Sequence, residues 1–295
     1  MSTDHLSSDH MPFEIVEFSS RASGQQNEDR VGHSTTHAWV IDGATDMVTE
    51  PLVGKSSDAA WLAEEAQNLL REIDGKAAWA SLPHLPQQLN EKLAEKFRAT
   101  CRREPENRWE HPSAAALIVR FGDRKLEWVS LGDCAMIAET PQGLKCIGVG
   151  GPDAGDRFIV DDLTRFNAEK RMTSDQERKD RMWPDLRDKR GERLNAPGGY
   201  PVLSITPPPQ DLVANGEIEI ADAGHALLAT DGLMRLVEIF ARYTPQELLE
   251  VAIANGIEQL LNEVRELELA DAECLKHPRI KRSDDATGLL LKATL

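Results

Sequence analysis

The chain has 295 residues, and its 34 Lys and Arg against 50 Asp and Glu give a net charge of −16 at pH 7. A field of this sign repels phosphate backbones and anionic lipids, so the composition disfavours general nucleic-acid binding and membrane association. Hydrophobic residues make up 40% of the chain, and no apolar run approaches the ~20 residues that a membrane span needs. A globular protein of one large domain or two modest ones is expected.

The first twelve residues are rich in Ser, Asp and His, with neither a basic start nor an apolar stretch. This pattern predicts a disordered tail over residues 1–12 and a cytoplasmic protein without a secretory signal. The four cysteines are scattered singly, which favours reduced thiols and excludes a zinc knuckle; they are Cys101, Cys134, Cys146 and Cys274. Any metal is therefore expected to have oxygen ligands.

The first half of the chain predicts strands, then two helices, then more strands. Strand patterns cover residues 13–18 and 38–41, and helical spacing of apolar residues covers about 57–72 and 86–103. Four further strand patterns follow at 114–121, 125–131, 134–139 and 143–149, separated by short polar turns. Because they follow one another so closely, they are predicted to form an antiparallel meander.

A charged segment at about 150–200 interrupts the strand pattern. Between Arg165 and Arg193, ten basic residues oppose seven acidic ones, so the local net charge is +3 in an acidic chain. The segment fits either a solvated surface helix or a lid that meets an anionic substrate. Strands are predicted again at 212–220, 225–230 and 286–292, with helices at about 233–242 and 245–276.

Five apolar strand patterns run directly into an aspartate, and a small residue usually lies beside it. The five residues are Asp29, Asp42, Asp133, Asp231 and Asp284. A buried, unpaired carboxylate costs several kcal/mol, so a positive partner is expected. Few Lys or Arg neighbour these positions in sequence, which favours Mg²⁺ or Mn²⁺. A neighbouring Gly would let the cation approach a backbone carbonyl.

The order of these motifs resembles the metal-dependent type-2C protein Ser/Thr phosphatases. The motifs are Asn27-Glu28-Asp29, Ile41-Asp42-Gly43, Gly132-Asp133, Thr230-Asp231-Gly232 and Asp284-Asp285-Ala286-Thr287, and they extend over nearly the whole chain. The resemblance implies an α+β fold, a four-layer α-β-β-α sandwich of two antiparallel sheets flanked by helices, in a single domain over 13–295 with a charged helical insert or flap at about 150–200. It also implies two Mn²⁺ or Mg²⁺ ions, with a weaker third, at one end of the sheets.

The resemblance further implies a role for each matched residue. Asp42 would bridge both ions, Gly43 would offer its carbonyl, and Asp29 would lie near one ion. Asp231 and Asp284 would hold the other ion. Glu28 would hydrogen-bond water on the metal, and Asp133 would help to hold the third ion.

The activity implied is hydrolysis of phosphoserine and phosphothreonine by in-line attack of a metal-bridging water. The implied partner is a phosphoprotein, with a Ser/Thr kinase or its targets as candidates, and the protein is expected to be a monomer.

Two positions depart from the family pattern. Gly24 stands where the family has a phosphate-binding Arg, and Arg21 is the nearest candidate replacement. Ala44 stands where many members have a His, so the proton donor to the leaving group stays open between water, water on the metal and a group on the lid.

Two alternatives to an active phosphatase of this type follow from the same residues. A haloacid-dehalogenase-like mechanism needs a nucleophilic Asp two residues before Asp42, where this chain has Val40. A catalytically weak or inactive phosphatase-fold binding module is the better alternative. The five retained carboxylates favour activity, because keeping them in a buried place is destabilising.

Overall fold

The computed structural model describes residues 12–55, 57–74, 81–149, 161–166, 172 and 174–294. The predicted tail before residue 12 and parts of the 150–200 segment lie outside these ranges. The strands are β1 (Phe13–Arg21), β2 (Arg30–His33), β3 (His37–Gly43), β4 (Ser113–Phe121), β5 (Lys125–Leu131), β6 (Ala135–Thr140), β7 (Gly143–Ile147), β8 (Leu203–Ser204), β9 (Ala214–Glu219), β10 (His225–Ala229) and β11 (Ala286–Ala293). The α-helices are α1 (Asp58–Arg71), α2 (Leu85–Thr100), α3 (Asp175–Arg193), α4 (Asp231–Glu238), α5 (Pro245–Asn255) and α6 (Ile257–Ala270).

The described strands form two antiparallel sheets. One sheet has the order β1-β11-β10-β6-β7, and the other has the order β2-β3-β4-β5-β9 with β8 paired to β4. Helices α1 and α2 pack on the outer face of the second sheet, and α4, α5 and α6 pack on the outer face of the first. The predicted four-layer α-β-β-α sandwich is therefore confirmed.

Alternating apolar residues build the layers of the core. On β3, Val40 points into the core between the sheets, whereas Trp39 and Ile41 point outward beneath α1 and α2. On β10, Leu228 lies between the sheets and Leu227 lies beneath α5 and α6. Both faces of these central strands are buried, which explains their continuous apolar sequences.

The predicted meander of four strands is wrong at its centre. Strands β4 and β5 pair in one sheet, whereas β6 and β7 pair in the other. The chain crosses between the sheets at Gly132 and Asp133, and Gly132 has a φ of 74°. A hairpin and a crossover share the same local pattern of strand, turn and strand, so the sequence does not separate them.

Two further differences concern short elements. Strand β2 is missing from the predicted set, because its four residues include a Gly and two polar side chains. The helix predicted over 245–276 is two helices, which Gly256 separates with a φ of 85°. Within the described ranges, no helix has both the length and the apolar character to span a bilayer.

Strand register brings the ends of several strands to one edge of the sandwich. On β3, Asp42 lies opposite Ala115, and the β5 end at Leu131 lies opposite Ala116 on the same strand β4. In the other sheet, Ala229 at the end of β10 lies opposite Ala135 at the start of β6. The motifs that follow these strands therefore lie at the same end of both sheets.

Candidate metal centre

Asp42 and Asp231 face each other from opposite sheets. Asp42 is at the end of β3, and Asp231 is the first residue of α4, directly after β10 and Thr230. The two carboxyl groups lie close enough that each acts on the pKa of the other. Two strands that are far apart in sequence thus deliver one pair of acidic groups to one place.

The electrostatics of Asp42 identify its neighbours. Burial raises the pKa of Asp42 well above its usual range, and the nearby charges of Asp231, Asp29, Asp133 and Asp284 raise it further. Burial and then the charge of Asp284 likewise raise the pKa of Asp231, against the opposing effect of Arg235. Like charges act on one another in this way only at short range, so the five strand-end aspartates form one cluster.

Asp29 is held by two threonine hydroxyls. Its Oδ2 accepts hydrogen bonds from Thr230 at 2.9 Å and from Thr287 at 2.7 Å. Its Oδ1 is buried and has no hydrogen-bond partner among the described residues. Burial raises the pKa of Asp29 well above its usual range. A buried carboxylate oxygen without a hydrogen-bond partner is a suitable ligand for a cation.

Glu28 lies on the adjacent segment and contacts the start of α1. Its carboxylate accepts hydrogen bonds from the Ser57 hydroxyl and, at 3.4 Å, from the Thr45 hydroxyl. Burial raises the pKa of Glu28. Its backbone amide donates to Asp285 at 2.5 Å, and the amide of Ser23 donates to the same carboxylate at 2.6 Å. Asp285 therefore fixes the 23–28 segment beside the cluster.

Glycines in two motifs are required by close backbone approaches. A Cβ on Gly43 would lie 2.7 Å from the carbonyl oxygen of Glu28. A Cβ on Gly232 would lie 1.8 Å from the carbonyl oxygen of Asp285. Each Asp-Gly motif thus uses its Gly to pack against another motif of the site, a role that the sequence does not reveal.

Asp284 differs from the rest of the cluster because two basic side chains contact it. Lys281 Nζ lies 2.5 Å from its Oδ1, and Arg235 Nη2 lies 2.9 Å from its Oδ2. Although burial opposes it, these two charges hold the pKa of Asp284 below its usual range. Although few Lys or Arg neighbour these aspartates in sequence, Asp284 has two basic partners in the folded protein. The spacing of Lys281 three residues before Asp284 was the available signal.

Arg21 points away from the cluster. Its guanidinium pairs with Glu258 at 2.5 Å and donates to Asn262 at 2.5 Å, both on α6. The backbone carbonyl of Arg21 accepts a hydrogen bond from Arg265, also on α6, at 3.0 Å. The phosphate-binding role predicted for Arg21 gains no support from these contacts.

Helix α3 carries much of the basic segment and is attached at both ends. Arg178 is fully buried and donates to the carbonyls of Ile280 and Glu273 at 2.9 and 3.1 Å. Near the other end, Arg187 and Arg190 donate to the carbonyls of Met47 and Thr45, in the loop after β3. Only Arg178 and Met182 of α3 are buried, so α3 is a surface helix that is anchored to the loops beside the acidic cluster.

The described residues fit a hard divalent cation on the Asp42 side of the cluster. No three His, Cys, Asp or Glu side chains among them are already arranged as a complete metal site. Asp42, Asp231 and the orphaned Oδ1 of Asp29 nevertheless offer carboxylate oxygens, and Gly43 offers a carbonyl, which are ligands that Mg²⁺ and Mn²⁺ prefer. Asp133 is exposed beside them, at the crossover between the sheets.

Of the comparisons with known proteins, only the comparison with solved structures gives matches. No protein-family model and no curated protein sequence matches the chain. The Mycobacterium tuberculosis serine/threonine phosphatase PstP/Ppp is similar, with a TM-score of 0.54 and 14% identity over 95% of this chain and 99% of that one. This chain has the type-2C protein phosphatase fold.

Two further solved structures show the same likeness to this type-2C fold. The S. agalactiae serine/threonine phosphatase has a TM-score of 0.52 and 10% identity, over 95% of this chain and 98% of that one. The PstP catalytic domain in complex with two manganese ions has a TM-score of 0.53 and 15% identity, over 94% and 98% of the two chains. The fold implied by the sequence motifs is thereby confirmed, and the roles of individual residues stay predictions.

Proposed function

We propose that the protein is a metal-dependent phosphoprotein phosphatase that hydrolyses phosphoserine and phosphothreonine monoesters. The observation that carries the proposal is the pairing of Asp42 with Asp231 across the two sheets of a type-2C phosphatase fold. Bound Mg²⁺ or Mn²⁺ ions would supply a water of lowered pKa and neutralise the phosphoryl oxygens, which is what in-line hydrolysis needs.

The chain's own residues hold and orient such a centre. Asp42, Asp231 and the carbonyl of Gly43 would bind the ions. Asp284 would hold one of these ions together with Asp231, as the family resemblance implies. Asp29 is oriented by Thr230 and Thr287. Glu28, held by Ser57, is placed to accept a hydrogen bond from water beside the ions.

A second candidate function is a weak or inactive phosphatase-fold binding module. The contacts of Asp284 with Lys281 and Arg235 favour it, because they neutralise one carboxylate of the cluster without a metal. The charges that act most on Asp42 and Asp29 are those of other aspartates, and these two uncompensated groups support the active enzyme instead.

The test is phosphate release by the full chain after treatment with EDTA. Matched peptides carrying phosphoserine, phosphothreonine or phosphotyrosine are assayed with added Mn²⁺, with added Mg²⁺ and with neither. Restoration of turnover by a divalent ion, faster on phosphoserine and phosphothreonine, supports the proposal. The absence of turnover on all three peptides and on p-nitrophenyl phosphate under every condition would favour the inactive module.

A further inference from the structure

Lys281 lies inside the acidic cluster, where it contacts two of the elements that form it. Its Nζ donates to Asp284 Oδ1 at 2.5 Å and to the hydroxyl of Thr45 at 3.0 Å. The other oxygen of Asp284 accepts a hydrogen bond from Arg235 at 2.9 Å. Both oxygens of Asp284 are thus engaged by nitrogen donors of this chain.

The backbone on each side of Lys281 is fixed by α3. The carbonyl of Ile280 accepts a hydrogen bond from Arg178 Nε at 2.9 Å, and the amide of Arg282 donates to Asp175 at 2.9 Å. Arg178 also pairs with Asp175, one helical turn away. These contacts fix the backbone on both sides of Lys281, so the fold itself directs the Lys281 side chain to the cluster.

Arg235 is fixed as well. It pairs with Glu268 of α6 at 2.7 Å, and Glu268 is fully buried. Glu268 also pairs with Arg265 at 2.6 Å. Because a buried ion pair is costly to break, Arg235 stays beside Asp284, and Lys281 is the more easily displaced of the two cations.

The Asp42 side of the cluster has the opposite character. The neighbouring charges that act on Asp42 are those of other aspartates. Asp29 keeps a buried oxygen without a hydrogen-bond partner among the described residues. The centre therefore has an Asp42 half, where the largest charge effects come from other aspartates, and an Asp284 half, where Lys281 and Arg235 supply positive charge.

We propose that Lys281 is a resident cation of the centre that competes with a divalent ion for Asp284. The ammonium group already neutralises Oδ1, and it would strongly repel a divalent ion that bound the same carboxylate in a half-buried place. A divalent ion therefore binds Asp284 well only when Lys281 is displaced. The Asp42 half consequently binds metal more tightly than the Asp284 half. The inference rests on the proposed function only in taking the cluster to be an ion-binding centre.

The test is Mn²⁺ binding to the full chain, measured by isothermal titration calorimetry and by equilibrium dialysis. Lys281→Met and Lys281→Gln remove the charge, Lys281→Arg keeps it, and Lys276→Met removes an exposed charge from the same loop. We expect the two neutral variants at position 281 to bind one Mn²⁺ more than the wild type, or the weaker Mn²⁺ at least tenfold more tightly. Lys281→Arg and Lys276→Met should bind as the wild type does.

Equal or weaker Mn²⁺ binding by both neutral variants would overturn the proposal, and so would Lys281→Arg behaving as Lys281→Met does. Thermal unfolding identifies any variant that does not fold. Lys281→Met approximates the length of the side chain, and Lys281→Gln keeps a hydrogen-bond donor on a shorter one. Phosphate release is measured separately. Tighter binding by the neutral variants without turnover would contradict the proposed function alone, and Mn²⁺-dependent turnover with unchanged binding would contradict this inference alone.

Discussion

Thr230 donates a hydrogen bond of 2.9 Å to Asp29, a residue that lies 201 positions earlier in the chain. The same hydroxyl accepts a hydrogen bond from the amide of Thr287 at 3.0 Å. Three of the sequence motifs therefore meet at one hydroxyl group. The threonines of these motifs orient a carboxylate of the candidate metal centre, and they also join the two sheets.

Thr230→Val is expected to destabilise the protein by about 1–3 kcal/mol, the usual cost of leaving a buried polar group without its partner. The variant removes a donor from Asp29 and an acceptor from the amide of Thr287 while keeping the shape of the side chain. Urea unfolding measures the change. Thr100→Val, at the exposed end of α2, is the control and should change the stability by less than about 0.5 kcal/mol. Equal effects of the two substitutions would contradict the account of Asp29.

The structure and the sequence give different predictions for Arg21. Because the guanidinium pairs with Glu258 and Asn262 on α6, Arg21→Ala should leave the KM for p-nitrophenyl phosphate within about twofold of the wild type. An exposed pair of this kind contributes ~0–1 kcal/mol to stability. Arg98→Ala on α2 controls for the loss of charge. A tenfold rise in KM for Arg21→Ala alone would restore the phosphate-binding role predicted from sequence.

The lid hypothesis for the basic segment is tested with Lys179 and Arg181, two basic side chains of α3 whose ring contacts and ion pair are with other residues of the same segment. Arg178 is unsuitable, since it is buried and binds backbone carbonyls. The double substitution of Lys179 and Arg181 by Gln should raise the KM for an acidic phosphopeptide and reduce its salt dependence. The reason is that attraction to exposed charges weakens as the Debye length falls from about 10 Å at 0.1 M salt to about 3 Å at 1 M.

The matched control for α3 replaces Arg124 and Lys125, an exposed basic pair on the β4–β5 turn, with Gln. It should leave KM and salt dependence unchanged, and both variants should keep kcat for p-nitrophenyl phosphate within a few-fold. If the α3 variant behaves as this control does, α3 does not take part in substrate attraction.

A buried histidine makes stability depend on pH. Burial lowers the pKa of His37 from its usual 6.5 to about 4, and the groups facing it are Asp74, Arg120 and Glu127. Between these two pKa values the unfolded chain binds a proton that the folded protein does not, so stability falls as pH falls. A pKa shift of this size lowers the free energy of unfolding by about 3 kcal/mol between pH 7 and pH 4.

His37→Gln should therefore lose less stability than the wild type over that interval, as measured by urea unfolding at several pH values. His33→Gln, on the exposed neighbouring position of the same hairpin, should follow the wild type. Parallel pH profiles for His37→Gln and the wild type would show that His37 does not carry this dependence.

The resemblance of the ordered motifs to the type-2C phosphatases predicted the layers, and local patterns predicted the strands that end in carboxylates. An apolar run that ends in Asp42-Gly43 indicates a buried strand and an acidic group at its end, whatever the strand packs against. It did not predict that Asp133 lies at a crossover between the sheets, since a hairpin has the same local pattern. The contact of Lys281 with Asp284 and that of Arg21 with α6 depend on where loops pack, and side-chain direction in a loop has no periodic signal.

The most direct test of the central claim compares Asp42→Asn and Asp231→Asn with the control Asp222→Asn. Asp222 is exposed, pairs with Arg124 and precedes β10, at the opposite end of that strand from the cluster. Mn²⁺ binding and phosphate release from a phosphothreonine peptide are measured on all three and on the wild type. The account predicts that the first two variants lose Mn²⁺ affinity and at least a hundredfold in turnover, while Asp222→Asn matches the wild type. Near-wild-type Mn²⁺ affinity and turnover in Asp42→Asn or Asp231→Asn would contradict it.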